Sequence, residues 1–184
     1  MTFANCLTVG RIAAIPVVLA LGAFGHERAA LALLALALLS DLVDGPLARA
    51  LGQTSSLGAL LDPVADKAVV LTFLPVLAAG GEVPAWFAVL ACFRQLAQLS
   101  AIPILGWLGI GFKVAPGRIP KWATAILFAI VWLGCARMSA AGGRLPAAGL
   151  AALVAVSAAL EVWVLAAFLP RFVQIARGRH DTFE

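Results

Sequence analysis

The chain has 184 residues, of which 63% are hydrophobic and 12% charged, with a formal net charge of +4 at pH 7 and a mean hydropathy of +1.04. So few charges cannot supply the polar surface that a water-soluble domain of this size needs, and such a composition belongs to a protein embedded in a lipid bilayer. One helical bundle uses nearly the whole chain, so residues 1–184 read as a single domain with little room for a second.

Apolar stretches fall at about residues 7–25, 29–48, 57–79, 84–106, 119–140 and 146–169, each near the roughly 20 helical residues that cross a bilayer. The expected fold is therefore all-α, an integral membrane bundle of six transmembrane helices. The segment MTFANCLT before the first stretch has no basic residue and Arg11 lies inside the stretch, which reads as an uncleaved first helix rather than a signal peptide. Asn5 or Thr8 can cap that helix, and Pro16 is expected to bend it. The second stretch, LALLALALLSDLVDG, turns polar only near its far end, and ARALGQTSS then suits a tight turn. The third carries LDPVADK, with Pro63 directly after Asp62, a local distortion beside a candidate ligand. The fourth holds Arg94 within an apolar run, and GWLGIGFKVAPGRIPK after it is the longest and most basic connection. The fifth and sixth stretches, rich in Ala, Leu and Val, read as scaffold or dimer surface.

With the N-terminus in the cytoplasm, Arg49, Lys113, Arg118, Lys121, Arg171, Arg177 and Arg179 fall inside, and Arg28, Arg137 and Arg144 outside. The positive-inside rule then places both termini in the cytoplasm. The short basic tail RFVQIARGRH suits anionic lipid head groups better than nucleic acid. Cys6, Cys92 and Cys135 lie on or beside different predicted helices without metal-ligand spacing, so they read as unpaired packing residues.

Four aspartates interrupt this apolar sequence with the spacing D-x2-D-G-x2-A-R-x8-G-x3-D-x3-D. Asp41 and Asp44 are three apart and Asp62 and Asp66 four apart, so each pair shares one face of a helix. Two such faces on adjacent antiparallel helices can bring four carboxylates to one pocket, where like charges resist ionisation unless a cation compensates them. Hard oxygen donors fit Mg²⁺ or Mn²⁺, and the absence of clustered His and Cys argues against zinc. Gly45 and Gly58, with small Ala48, allow a phosphate, a sugar or a neighbouring backbone to come close. Arg49 beside them can pair with a nucleotide phosphate or with Asp44, or reach to the membrane interface. A purely structural ion-pair network of the aspartates with Arg49, Lys67 and Arg94 is the bland alternative, and four buried carboxylates are a costly way to hold a bundle together.

This segment resembles the CDP-alcohol phosphatidyltransferase family, whose pattern is met at Asp41, Asp44, Gly45, Ala48, Arg49, Gly58, Asp62 and Asp66. Flanking N-x-L-T-x-x-R, from Asn5 to Arg11, and LDPVADK, from Leu61 to Lys67, look like the phosphatidylglycerophosphate synthase and cardiolipin synthase branches. The likeness covers roughly the first 125 residues. It implies a homodimer with two divalent cations and an active site at the cytoplasmic face, in a bacterial inner membrane. It also implies a reaction in which an alcohol attacks the phosphorus bearing the diacylglycerol of CDP-diacylglycerol and CMP leaves. Asp66 matches the general base, and Asp41, Asp44 and Asp62, with Asp66 assisting, the metal ligands. Gly45, Ala48, Arg49 and Gly58 would line the nucleotide and donor space.

Arg94, Arg118 and Lys121 can gather beside the aspartates, and three cations favour an acceptor with its own phosphate, such as glycerol 3-phosphate. Phosphatidylglycerol, serine or an inositol phosphate are the other acceptors of the same chemistry. The departures from the family are Pro46 after the first glycine, Gln95 where an acidic residue often follows Arg94, and Pro120 before the Lys121-x-x-Thr124 element. A small cation or proton-coupled transporter is a reading from another class, since carboxylates in a bundle can form an ion path. Confinement of the four aspartates to about 26 residues near one face speaks against it. A non-catalytic scaffold of the same fold is the third.

Overall fold

Six helices follow one another in the computed structural model: α1 (Phe3–Ala23), α2 (Glu27–Ala50), α3 (Ser56–Ala79), α4 (Ala85–Trp107), α5 (Arg118–Met138) and α6 (Ala147–Ala176). The structure describes residues 3–50, 56–107, 118–139 and 146–176, and the side chains among them except 3–7, 41–50, 56–63, 102, 105, 106, 118, 119 and 176. Two helix ends close in the same way. Gly25 and Gly81 have positive φ (78° and 76°), which only a residue without Cβ adopts cheaply. Beside them His26 N donates to Leu21 O at 2.8 Å and Glu82 N to Leu77 O at 2.9 Å, the reversed bond that satisfies the last carbonyls of α1 and α3.

Helix α3 packs against α1, α4 and α5, and α1 packs on both α2 and α3. Val69, Val70, Phe73, Leu74 and Leu77 of α3 are buried among Leu34 and Leu38 of α2, Phe87 and Ala91 of α4, and Leu127, Ile130 and Val131 of α5. In an apolar solvent such contacts stabilise by close packing more than by removal from water, so small residues matter at helix crossings. Gly134 of α5 shows this: a Cβ built there would stand 2.6 Å from Leu77 Cδ1 and 2.8 Å from Cδ2. Because Leu77 is itself fully buried, it has no free space to retreat into. Gly134→Ala is expected to destabilise the bundle by about 1–3 kcal/mol, the usual cost of overpacking. A thermal unfolding midpoint in detergent equal to wild type would show that Leu77 has another rotamer available. At the end of the bundle away from Asp66, Arg137 Nε donates to Glu82 Oε2 at 2.6 Å and ties α5 to the α3–α4 connection.

Six helices agree with the apolar runs, but six membrane crossings do not. Among the described residues two helices, Pro120–Met138 and Ala147–Ile175, are long and apolar enough to cross a membrane, and the apolar run Thr8–Ala23 is shorter. The expected six-transmembrane bundle is therefore corrected to an all-α bundle with two helices of crossing length and composition. In the other four helices the stretches whose side chains are described, 8–23, 27–40, 64–79 and 85–101, are each shorter than the roughly 20 helical residues that cross a bilayer, and they carry Arg11, Glu27 with Arg28, Asp66 with Lys67, and Arg94. Exposed Trp132, Val156, Val162, Trp163 and Leu169 on α5 and α6 present the apolar surface of a membrane-associated helical protein.

The helix limits also move. Helix α1 begins at Phe3, so Asn5 and Thr8 lie inside it rather than capping it, and α6 continues through Pro170 to Ala176, beyond the expected 169. Cys92 and Cys135 are free, as expected, and Cys6 lies outside the described side chains.

Candidate active site

Packing of α1 on α3 brings Arg11 to Asp66. Arg11 Nη1 donates to Asp66 Oδ1 at 2.7 Å. The arginine side chain is 1% exposed and the aspartate 27%, so a buried guanidinium holds a carboxylate that stays partly exposed. A charge-assisted bond of this kind fixes the carboxylate's position. Thr8, three residues before Arg11 and equally buried, shares that face of α1.

The second ion pair crosses from α4 to α6. Arg94 Nε donates to Glu161 Oε2, Nη2 donates to Glu161 Oε1 at 3.0 Å, and Nη1 donates to Gln98 Oε1 at 3.0 Å. Arg94 and Glu161 are both inaccessible, at 1% and 0%. Two charges taken out of water are tolerated only when geometry and additional hydrogen bonds offset their desolvation, and the two-pronged bond with Gln98 on the third nitrogen supplies both. Gln95 beside Arg94 is also buried.

Lys67 follows Asp66 on α3 and is half-buried, and the charges of both Asp66 and Arg94 act on it. Arg11, Asp66, Lys67, Arg94 and Glu161 thus bring charges from α1, α3, α4 and α6 into the bundle, where Thr8, Gln95 and Ser157 are also buried.

The other expected site residues stand as follows. The backbone is helical through Asp41, Asp44, Gly45, Ala48 and Arg49 on α2 and through Gly58 and Asp62 on α3. Their side chains lie outside the described residues, and with them the expected meeting of four carboxylates. Among the described residues no group of three or more His, Cys, Asp or Glu gathers as a metal site; Asp66 is the one carboxylate of the pattern whose side chain is described. Arg118 opens α5, with its side chain outside the described residues, and Lys121 is exposed one turn later. The Thr124 hydroxyl donates to Pro120 O at 3.1 Å, within its own helix.

Glu161 escaped the sequence reading because α6 looked like plain scaffold. Its signal was the same one that marked Arg94, a lone charge in an apolar helix. Arg11 was read as part of a flanking motif and as a charge inside the first helix, and Lys67 as the end of a flanking motif and a member of a structural network, neither with its partner.

A family model described as CDP-alcohol phosphatidyltransferase matches residues 1–168. The chain belongs to the CDP-alcohol phosphatidyltransferase family. The family match runs well past the first 125 residues and takes in α5 and most of α6, including Glu161.

Among relatives, the chain is similar to the CDP-diacylglycerol--glycerol-3-phosphate 3-phosphatidyltransferase 1, chloroplastic/mitochondrial, of Arabidopsis thaliana. The two are 31% identical over 95% of this chain and 64% of that protein. It is 34% identical to the CDP-diacylglycerol--glycerol-3-phosphate 3-phosphatidyltransferase of Cereibacter sphaeroides, over 71% of this chain and 62% of that one. With the cardiolipin synthase (CMP-forming) of Streptomyces coelicolor it shares 38% identity over 57% of this chain and 52% of the relative. The chain thus spans about half to two thirds of the length of these three relatives. For a CDP-alcohol phosphatidyltransferase family member, the Arg11–Asp66 and Arg94–Glu161 pairs, with Lys67 next to Asp66, are the described part of the candidate site.

Proposed function

We propose that this protein transfers a phosphatidyl group from CDP-diacylglycerol to an alcohol, with glycerol 3-phosphate as acceptor, and releases CMP. The observation that carries the reading is Asp66: the last aspartate of the family pattern is a partly open carboxylate held in place by a buried arginine. In this mechanism the acceptor hydroxyl gives its proton to Asp66 and its oxygen bonds to the phosphorus that carries the diacylglycerol. The bond from that phosphorus to CMP breaks, and CMP leaves with the electron pair. A carboxylate within reach of the hydroxyl is suited to this proton transfer, and Arg11 keeps it oriented.

The donor set of Asp41, Asp44, Asp62 and Asp66 fits two divalent cations, Mg²⁺ or Mn²⁺. All four residues stand on helical backbone, at spacings that share a face, and carboxylate oxygens are the ligands such ions take. Bound there, the ions neutralise charge on the transferred group and on the departing nucleotide. Gly45, Ala48, Arg49 and Gly58 line the nucleotide side in this reading. Arg94, Arg118 and Lys121 serve the acceptor's phosphate; Arg94 still has N–H donors beyond those it gives to Glu161 and Gln98. The site opens at the cytoplasmic face, with both termini on that side and two copies forming a homodimer.

The reading is tested by CMP release from CDP-diacylglycerol in detergent or liposomes, with each acceptor supplied alone. Turnover is expected to require glycerol 3-phosphate together with the lipid donor. Chelation by EDTA is expected to bring it to background, and Mg²⁺ or Mn²⁺ to restore it. Stimulation by phosphatidylglycerol instead would assign the second reading, a cardiolipin synthase reaction, favoured by the similarity to the Streptomyces coelicolor protein. Donor binding without CMP release for any acceptor would leave a scaffold, and metal flux into sealed liposomes without nucleotide chemistry a transporter.

A further inference from the structure

At the end of the bundle away from Asp66, a cavity of about 260 Å³ lies between α1, α2, α3 and α5. Leu34 and Phe73, each 2% exposed, are its buried lining, and Leu19 and Val76, each 38% exposed, belong to the wall where it opens. Among the described residues α1 and α5 do not pack against each other, so the space between them stays open. Phe73 and Val76 stand about 10 and 15 Å along α3 from Asp66. Helix α5 runs parallel to α3, since Leu77 meets Gly134 and Gly80 meets Met138. Eleven residues before Leu77, Asp66 is level with the start of the span Pro120–Met138, and the cavity, lined by Cys135 and Met138, with its end.

Size, lining and depth together select the occupant. The volume exceeds the roughly 150 Å³ of an engineered apolar cavity that stays dry and takes benzene. Apolar walls offer water too few partners, and left empty they forfeit dispersion contacts that a hydrocarbon restores. At the end of a crossing span, the hydrocarbon that stands against an apolar opening is that of the bilayer. The polar residues of the lining, Glu27 and Ser139, lie at the ends of α2 and α5 on this side, where the ester and head-group atoms of a lipid need hydrogen-bonding neighbours. We infer that the cavity binds one acyl chain of a membrane phospholipid, in the leaflet opposite the candidate active site. The chain bridges α1 and α5, and its site is separate from that of any lipid that reacts at Asp66. The inference is independent of the phosphatidyl-transfer reading.

The test places the full chain in liposomes with a phospholipid that carries a diazirine on one acyl chain, and maps photocross-links by mass spectrometry. Cross-links are expected at Leu34 and Phe73, which lipid outside the bundle does not reach, as well as at exposed Trp163. Gly22→Leu fills the cavity: Gly22 lines it, a Cβ there meets nothing within 4 Å, and leucine favours helix over glycine. In this variant the cross-links at Leu34 and Phe73 are expected to fall about tenfold relative to Trp163. Gly149→Leu, equally free of contacts on α6, is expected to leave them unchanged. Equal cross-linking of Leu34 and Phe73 in wild type and Gly22→Leu overturns the inference, as does a wild type without cross-links there. Their loss on adding excess CDP-diacylglycerol overturns it too, because the cavity then holds the donor's own tails. Should Gly22→Leu fail to fold, thiol labelling of the wild type decides. In a sterol-based detergent, added phospholipid is expected to slow methyl methanethiosulfonate at Cys135 several-fold, with Cys92 as the reference, and an unchanged ratio overturns the inference. Absence of CMP release would remove the phosphatidyl-transfer reading and leave the cross-links as they are.

Discussion

Asp66→Asn is expected to lower CMP release by about 10²–10⁴-fold, the range that general acid–base groups contribute, in a protein that still folds. The amide has nearly the shape of the carboxylate and its oxygen can still accept from Arg11, but it takes no proton at neutral pH. A cost in stability accompanies the loss of turnover, because Arg11, 2% exposed, gives up an ionised partner. Leaving a buried donor less well matched costs about 1–3 kcal/mol. The two effects separate experimentally: turnover is compared well below the unfolding midpoint, on protein shown to be folded by gel filtration and circular dichroism. If folded Asp66→Asn kept more than about a tenth of wild-type turnover, short of the smallest loss expected for a general base, Asp66 would have no such role. Arg11→Lys, which retains the charge but loses the fork, is expected to fall between the two proteins.

The largest expected effect on stability lies at Arg94 and Glu161. Both side chains are inaccessible, and the guanidinium spends three nitrogens on Glu161 and Gln98. Removing one partner strands a charge in low dielectric, so Glu161→Ala and Arg94→Ala are each expected to destabilise by about 3–5 kcal/mol. Replacing both together, as Arg94→Met with Glu161→Leu, is expected to recover most of that loss, because an apolar pair of similar volume needs no desolvation. Unfolding of the single and double variants in one detergent measures the coupling directly. Single variants within about 1 kcal/mol of wild type, the level of an exposed pair, would mean that the pair is hydrated in solution and does not brace α4 against α6. Catalytic loss in the double variant despite restored stability would separate a role of Arg94 toward substrate from its role in the bundle.

Helix number was legible because apolar runs of about 20 residues form helices in lipid and in a packed core alike. Which of them cross a membrane was not legible from run length: among the described residues, crossing length and composition belong to α5 and α6. The apolar stretch expected to end at 169 continues as helix through Pro170 and Arg171 to Ala176. In apolar surroundings no water competes for the remaining backbone bonds, and the helix passes through. The closures at Gly25 and Gly81 show only in the backbone, in the left-handed conformation of the two glycines.

For the site, the eight-position pattern and the anomaly of Arg94 could be read directly. The partners could not. Arg11 lies 55 residues from Asp66 and Arg94 lies 67 residues from Glu161, separations at which spacing carries no information about contact.

What the amino-acid sequence by itself determined, then, was the helical class, the family and the four aspartates with their two face-sharing spacings, because neighbours three or four apart on a helix are set by helical geometry alone. Only the tertiary structure decided which charge answers which. Glu161 meets Arg94 because α4 packs on α6, and Arg11 meets Asp66 because α1 packs on α3. In a low-dielectric bundle the partner of a charge is chosen by helix packing, and that choice is made across the fold rather than along the chain.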